Sequence, residues 1–188
     1  MNHPSKAAFL ALVVVCAGLN VGIGSVVATL KLPFFLDSIG TVLATALGGI
    51  WAGIACGLLA TIVGSAFVPT LWAYSGTAVL IAIYVSLARR VGYLRKPVPT
   101  ILLGLGLGVV AAAASAPVTT YVWKGVTLSG ADALVPFLVA SGQTLLVSAL
   151  MGGLSNDPLD KLVTSLIVLA LLRRVPRRWL ADHSQAEA

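Results

Sequence analysis

Few side chains in this sequence could do chemistry, and most of those that could are polar groups set inside apolar runs. His3 and His183 both lie in polar tails, so the apolar interior offers no imidazole for general-base or metal-ligating work. Cys16 and Cys56 sit deep in apolar runs without CxxC spacing, which argues against a disulfide scaffold or a metal knuckle. Gly104, Gly106 and Gly108 form GLGLG within an apolar run, unlike the GxGxxG that follows a strand, and no GxxxxGK(S/T) occurs. The expectation is therefore no metal, no cofactor, no enzyme, and no ATP hydrolysis by this chain itself.

What remains is a set of polar and aromatic residues at the margins of apolar segments. Asn20 falls past the middle of the first run. Asp37, Ser38 and Thr41 follow Lys31-Leu32-Pro33. Trp72, Tyr74 and Ser75 follow Pro69, and Tyr121, Trp123 and Lys124 end the run from Thr100. Gln143 stands alone, and Asn156, Asp157, Asp160 and Lys161 form a late cluster. Each has an ordinary structural explanation: Trp and Tyr as interfacial belt residues, Asp37 as a helix cap, Asp157 or Asp160 as the partner of Lys161.

The elements that must position these residues follow from composition. The chain has 188 residues, 59% hydrophobic and 10% charged, with a mean hydropathy of +1.01, against roughly 25% charge in an average soluble domain. That excludes a water-soluble globule and a disordered chain. Charge-free stretches run over Ala7–Leu30, Ser38–Ala88, Pro97–Trp123 and Ala133–Asn156, with a shorter one over Leu162–Leu172. About 20 apolar residues cross a bilayer once as a helix, so Ser38–Ala88 needs several crossings. Gly48-Gly49 and Pro69 divide it into segments near 38–49, 50–68 and 72–88. The Gly/Ala-rich, unalternating pattern suits helices and not barrel strands.

Eight of the basic residues lie in two clusters, Arg89, Arg90, Arg95 and Lys96, and Arg173, Arg174, Arg177 and Arg178. The positive-inside rule puts both clusters, and Lys6, on the cytoplasmic side. The net charge of +6 is then topological, and nucleic acid is not an expected partner. Seven apolar segments conflict with two cytoplasmic termini, which require an even number of crossings. Either Asp132–Gly153, interrupted by Pro136, Gly142 and Gly152-Gly153, lies outside or re-enters, or Leu162–Leu172 fails to cross. The first is preferred, with a last helix opening near Pro158 and capped by Asn156 or Asp157. Lys6 and the following apolar residues also imitate a signal peptide, but the run continues to Leu30, so a retained first helix is expected. The whole is read as one membrane domain: a cytoplasmic N-terminus over 1–6, an all-α bundle of six transmembrane helices over 7–174 with an extra outer-side or re-entrant segment, and a cytoplasmic tail over 175–188.

In that topology nearly all of the polar and aromatic residues fall at the outer side. An outer pocket with aromatic walls and a few hydrogen-bonding groups is what a small polar ligand needs. Small residues at four-residue spacing, Ala7/Ala11, Gly18/Gly22, Gly49/Gly53/Gly57 and Gly104/Gly108/Ala112/Ala116, form ridges that let helices approach closely in lipid.

The run Leu32-Pro33-Phe34-Phe35-Leu36-Asp37-Ser38-Ile39-Gly40-Thr41, followed by Leu47-Gly48-Gly49-Ile50-Trp51-Ala52-Gly53 and Gly57-Leu58-Leu59, resembles the S component of energy-coupling factor (ECF) transporters. Asp157-Pro158-Leu159-Asp160-Lys161-Leu162 and the closing Leu171-Leu172-Arg173-Arg174-Val175-Pro176-Arg177-Arg178 are similar to the end of many such proteins. The resemblance implies six helices and a vitamin or related heterocyclic micronutrient bound at the outer face, in the bacterial or archaeal plasma membrane. It implies a lid formed by the loop between the first two helices, here about Ala28–Asp37. Partners would be a transmembrane T component and two cytoplasmic ATPases, with toppling in the lipid bilayer to release substrate. The family's AxxxA docking motif would map onto Ala7 and Ala11. On this reading Asn20, Asp37, Thr41, Trp72, Tyr74, Tyr121, Gln143, Asn156, Asp160 and Lys161 are the candidate substrate-binding residues. Other classes are a ligand-sensing membrane domain, marked by an attached output domain, a stand-alone transporter or channel, marked by flux without ATPases, and an intramembrane enzyme.

Overall fold

A computed structural model of the protein describes residues 6–30, 32, 34–125 and 134–175. The tails expected to be cytoplasmic lie almost wholly outside the described residues, as do Lys31, Pro33, Asp132 and the Arg177-Arg178 pair. Among the described residues all regular structure is helical: α1 (Lys6–Thr29), α2 (Ile39–Gly64), α3 (Ser75–Arg90), α4 (Pro97–Pro117), α5 (Leu134–Ala140) and α6 (Leu145–Leu172). A 3-10 turn, Leu71–Tyr74, leads into α3, another, Tyr93–Arg95, leads towards α4, and a π turn, Val118–Val122, extends α4. Four stretches, Lys6–Thr29, Ile39–Gly64, Leu71–Arg90 and Pro97–Val122, have the length and apolar composition to cross a membrane, although the second of them is not straight. Large apolar side chains such as Val15, Trp51, Ile62, Phe67 and Phe137 point outwards. Such a surface suits lipid and would be an aggregation hazard in water.

The element α2 is bent double. Gly49 has φ 79° and ψ −175°, a backbone region that essentially only glycine occupies. Along a straight helix Thr45 and Gly53 would be about 12 Å apart. Instead, a Cβ on Gly53 would overlap the Thr45 hydroxyl, and one on Gly57 would lie 3.5 Å from the Thr41 hydroxyl. The arms 39–48 and 50–64 therefore run antiparallel, and the Gly48-Gly49 division expected from the sequence is a hairpin. Residues 38–46 of the first arm are buried on every side, as expected of a helix apolar all round. This arm is the central post of the bundle.

Close packing around the post depends on small residues. A Cβ on Gly40 would run into the Cys16 carbonyl, and one on Gly48 would lie 2.8 Å from the Leu12 side chain, so the first arm lies against α1. The ridge Gly104, Gly108 and Ala112 packs internally: Gly104 faces the Leu162 backbone, Gly108 the Pro158 backbone and Ala112 faces Gly153. Gly18 and Gly22 have open space beyond them, and Ala7 and Ala11 are exposed on the outer surface of α1.

The last third departs from expectation. Of the segment expected over Asp132–Gly153, the described part, residues 134–153, does not form one unit. It divides into the short α5 and the opening turns of α6, separated by Gly142 at φ 90°. The last helix begins at Leu145, not near Pro158, and its N-cap is Thr144, whose hydroxyl accepts from the Val147 amide at 3.4 Å. Asn156 and Asp157 are thus helix-interior residues, not caps. Proline within a helix removes one amide donor and crowds the preceding turn, yet apolar surroundings and a packed neighbour tolerate it. Here Gly108 of α4 leaves room for the Pro158 backbone.

Substituting Gly49→Ala should destabilise the protein by about 1–3 kcal/mol, because alanine is strained at that conformation. Gly22→Ala, with nothing within 4 Å of the added methyl, serves as the control. Thermal unfolding of both variants in detergent checks this, and equal midpoints for the two would exclude the hairpin turn at Gly49.

Candidate functional site

Continuity of α6 brings Ala149, Gly152, Gly153, Asn156, Asp157, Asp160 and Lys161 onto one face, since residues three and four apart lie over one another. Asp160 and Lys161 are both buried. Charges this deep require partners, and both have them. Asp160 Oδ2 accepts from Lys161 Nζ at 2.6 Å, while Asp160 Oδ1 accepts from the Phe35 and Leu36 amides at 2.9 Å each. Lys161 Nζ also reaches Asp37 Oδ1 at 3.4 Å. The segment between α1 and α2 is thereby tied to the middle of α6, across more than 120 residues of sequence. Leu36 takes a positive φ of 47° to present its amide, a conformation uncommon outside glycine.

On the near side of this tie lies a cavity of about 210 Å³. Its walls are the later half of α1, the second arm of α2, the start of α3, the end of α4 and the early half of α6, with Phe34, Phe35, Asp37 and Ser38 as its roof. The basic residues Arg89, Arg90, Arg95 and Lys96 belong to the opposite ends of α3 and α4, so the cavity occupies the half of the bundle remote from them. Much of its lining is apolar, with polar groups spaced among it.

Some of those polar groups serve the fold. Asn20 accepts from the Gly40 amide at 2.6 Å and donates to the Thr41 hydroxyl at 2.9 Å, clipping the first arm of α2 to α1. The Tyr74 and Thr119 hydroxyls pair at 2.9 Å, as do those of Thr61 and Ser75 at 3.0 Å. Others have no protein partner. Ser38 Oγ, Thr77 Oγ1 and Asn156 Nδ2 belong to cavity-lining residues and are buried without a hydrogen bond. Buried polar atoms are nearly always paired, and of the six unpaired ones among the described residues these three belong to residues of the cavity, while Trp123 Nε1, Thr164 Oγ1 and Ser165 Oγ lie elsewhere.

Of the residues singled out from sequence, Asn20, Asp37, Thr41, Tyr74, Asn156 and Lys161 line this cavity. Asp160 stands behind the roof as its anchor. The remaining three lie outside the lining. Trp72 is 57% exposed and meets Trp123 edge-on at 6.2 Å, Tyr121 is 72% exposed, and Gln143 is exposed in the turn between α5 and α6. Their aromatic or polar character fits an interfacial position. Residues that sequence reasoning left out of the site are Phe34, Phe35, Ser38, Thr77 and Asp157. Asp157 carried a signal: it lies four residues before Lys161, on the same face once the helix is taken through Pro158. Thr77 carried none beyond its polarity.

No group of three or more His, Cys, Asp or Glu residues converges as a metal site among the described residues. No protein-family model matches the chain, and no curated protein or solved structure matches it. Fold and site together define a chain that is all-helical among the described residues, suited by its long apolar helices to a membrane, with a polar-studded cavity beneath an anchored loop.

Removing the Asp160 carboxylate should strand the lysine and two amides. Asp160→Ala is expected to cost about 3–5 kcal/mol, as when one partner of a buried ion pair is deleted, and to accelerate hydrogen exchange at the Phe35 and Leu36 amides. Asp160→Asn keeps an acceptor for those amides and should retain more of their protection. Unchanged exchange in the alanine variant would show that the loop is held some other way.

Proposed function

We propose that the protein is the substrate-binding membrane subunit of an ECF-type transporter, capturing a small water-soluble vitamin or related heterocyclic micronutrient. The observation that carries this reading is the roofed cavity with unspent polar groups, Ser38, Thr77 and Asn156, on its wall. A cavity of this kind, largely apolar with a few placed polar atoms, suits a molecule of that size and chemistry. The loop that roofs it is the same segment that carries the strongest sequence resemblance. In this reading ATP hydrolysis belongs to separate ATPase subunits, joined through a transmembrane T component, in keeping with a sequence that carries no P-loop.

In this reading the chain traverses the bundle six times, through α1, the loop and first arm of α2, its second arm, α3, α4 and α6, with neither arm of α2 long enough to cross the hydrocarbon by itself. The short α5 stays at the outer side. Both termini are then cytoplasmic, in the plasma membrane of a bacterium or archaeon, and the cavity faces outwards. Ala7 and Ala11, exposed near the inner end of α1, offer a small-residue surface to the T component.

A thermal-shift screen of the detergent-purified protein against water-soluble vitamins, their precursors and nucleobases tests the reading. Ligand at ~100 times its Kd should stabilise the protein by about 2.7 kcal/mol. For the compound found, Asn156→Ala should weaken binding about tenfold, equivalent to roughly 1.4 kcal/mol for one lost hydrogen bond, whereas Trp72→Ala should leave affinity unchanged. Uptake by cells should require co-expressed T component and ATPases. Uptake by the chain alone in liposomes would favour a stand-alone transporter, and silence across the panel from folded protein would count against a receptor.

A further inference from the structure

The cavity wall is unbalanced in charge. Among the described residues its lining carries two carboxylates, Asp37 and Asp157, and a single ammonium, Lys161. That ammonium is already committed, 2.6 Å from Asp160, which contributes a third carboxylate just behind the wall. Asp160 is well satisfied by Lys161 and two backbone amides. Asp37 retains Lys161 only at 3.4 Å, and its side chain is 37% exposed. Asp157 is 5% exposed and lies one helical turn before Lys161 on the same face of α6. Three acidic side chains thus stand at or just behind a wall that holds one ammonium, and only Asp37 and Asp160 are paired with it.

Deepening the receptor reading, on which it rests, we infer that the cavity selects an organic cation, a small molecule whose positively charged nitrogen lies towards Asp37 and Asp157. Such a charge supplies the counter-ion that this low-dielectric wall lacks. The rings of Phe34, Phe35 and Tyr74 on the same lining add faces that attract cations. Ser38 points to a ligand independently of the carboxylates. Its hydroxyl is unpaired, its residue is 3% exposed, and it belongs to the wall, so it can accept from an N–H of the cation. Asn156 Nδ2, also unpaired, is a donor and calls for an acceptor elsewhere on the same molecule. An anion would meet Asp37 and Asp157 with only a committed lysine in its favour. A bare metal ion finds no convergent set of three ligands among the described residues.

The test uses the full chain in detergent and trios of probes that share a ring and differ in charge: 1-methylnicotinamide, nicotinamide and nicotinate, and benzylamine, benzyl alcohol and benzoate. Binding is followed by thermal shift and calorimetry. The cation of at least one trio should bind tenfold or more tightly than its neutral and anionic counterparts. Asp157→Asn and Asp37→Asn should each reduce that preference by about tenfold while leaving the neutral probe unchanged. Should Asp157→Asn fail to fold, the partly exposed Asp37 keeps the test decisive. Tightest binding by a neutral or anionic probe, or a cation preference that survives both variants, overturns the inference and leaves the receptor reading standing. No binding by any probe also overturns it, and the vitamin panel then decides separately whether the receptor reading survives.

Discussion

Asp160 and Lys161 lie side by side in the middle of a helix, in a bundle built from apolar residues. Neighbouring positions on a helix do not normally face one another, but the long lysine stem lets its ammonium curl back onto the carboxylate at 2.6 Å. That bond leaves a second carboxylate oxygen to be satisfied in a medium where an unpaired charge is very costly. The Phe35 and Leu36 amides satisfy it. Meeting this demand fixes where the chain between α1 and α2 must pass, and Leu36 accepts an unusual backbone conformation to do so.

From that fixed loop the rest of the architecture follows. Ser38 and Ile39 begin the first arm of α2 already deep in the bundle, and Asn20 holds the arm to α1 through Gly40 and Thr41. An arm of ten residues rises about 15 Å, so the chain must turn while still enclosed by its neighbours. Only glycine allows the reversal at residue 49 with the backbone that it adopts. The returning arm packs on the first through Gly53 and Gly57, which keeps the hairpin thin enough to serve as a central post.

The two halves of the bundle divide the labour between packing and space. Along α4, Gly104 and Gly108 bring the α6 backbone into contact, and dispersion at such short range holds helices together where burial from water gives no drive. Beyond that contact the helices enclose the cavity, roofed by the loop that Asp160 anchors. Some polar atoms of the interior tie elements together, as those of Asn20 and Asp160 do, and others remain unpaired, at cavity-lining residues such as Ser38, Thr77 and Asn156 and also at Thr164 and Ser165 on α6.

Composition and periodicity by themselves determined that the chain is helical and apolar enough for a membrane, and glycine and proline spacing located the break at Gly48-Gly49 and the boundary at Pro69. These features were legible because they depend on local rules: backbone freedom at glycine, loss of a donor at proline, and the cost of exposing peptide groups to lipid. Several cavity residues were visible for a related reason, since polar groups such as Asn20, Asp37 and Lys161 stand out against apolar surroundings. Tertiary structure alone decided which of them face inwards. The path of α6 through Pro158 is settled by Gly108 of α4, more than forty residues away, and this path turns Asn156 and Asp157 from apparent caps into wall residues. Likewise, Trp72 and Thr77 lie close in sequence, yet one faces out and the other belongs to the cavity lining. Side-chain direction depends on how helices rotate against their neighbours, and that rotation is set by contacts between segments that the linear sequence does not bring together.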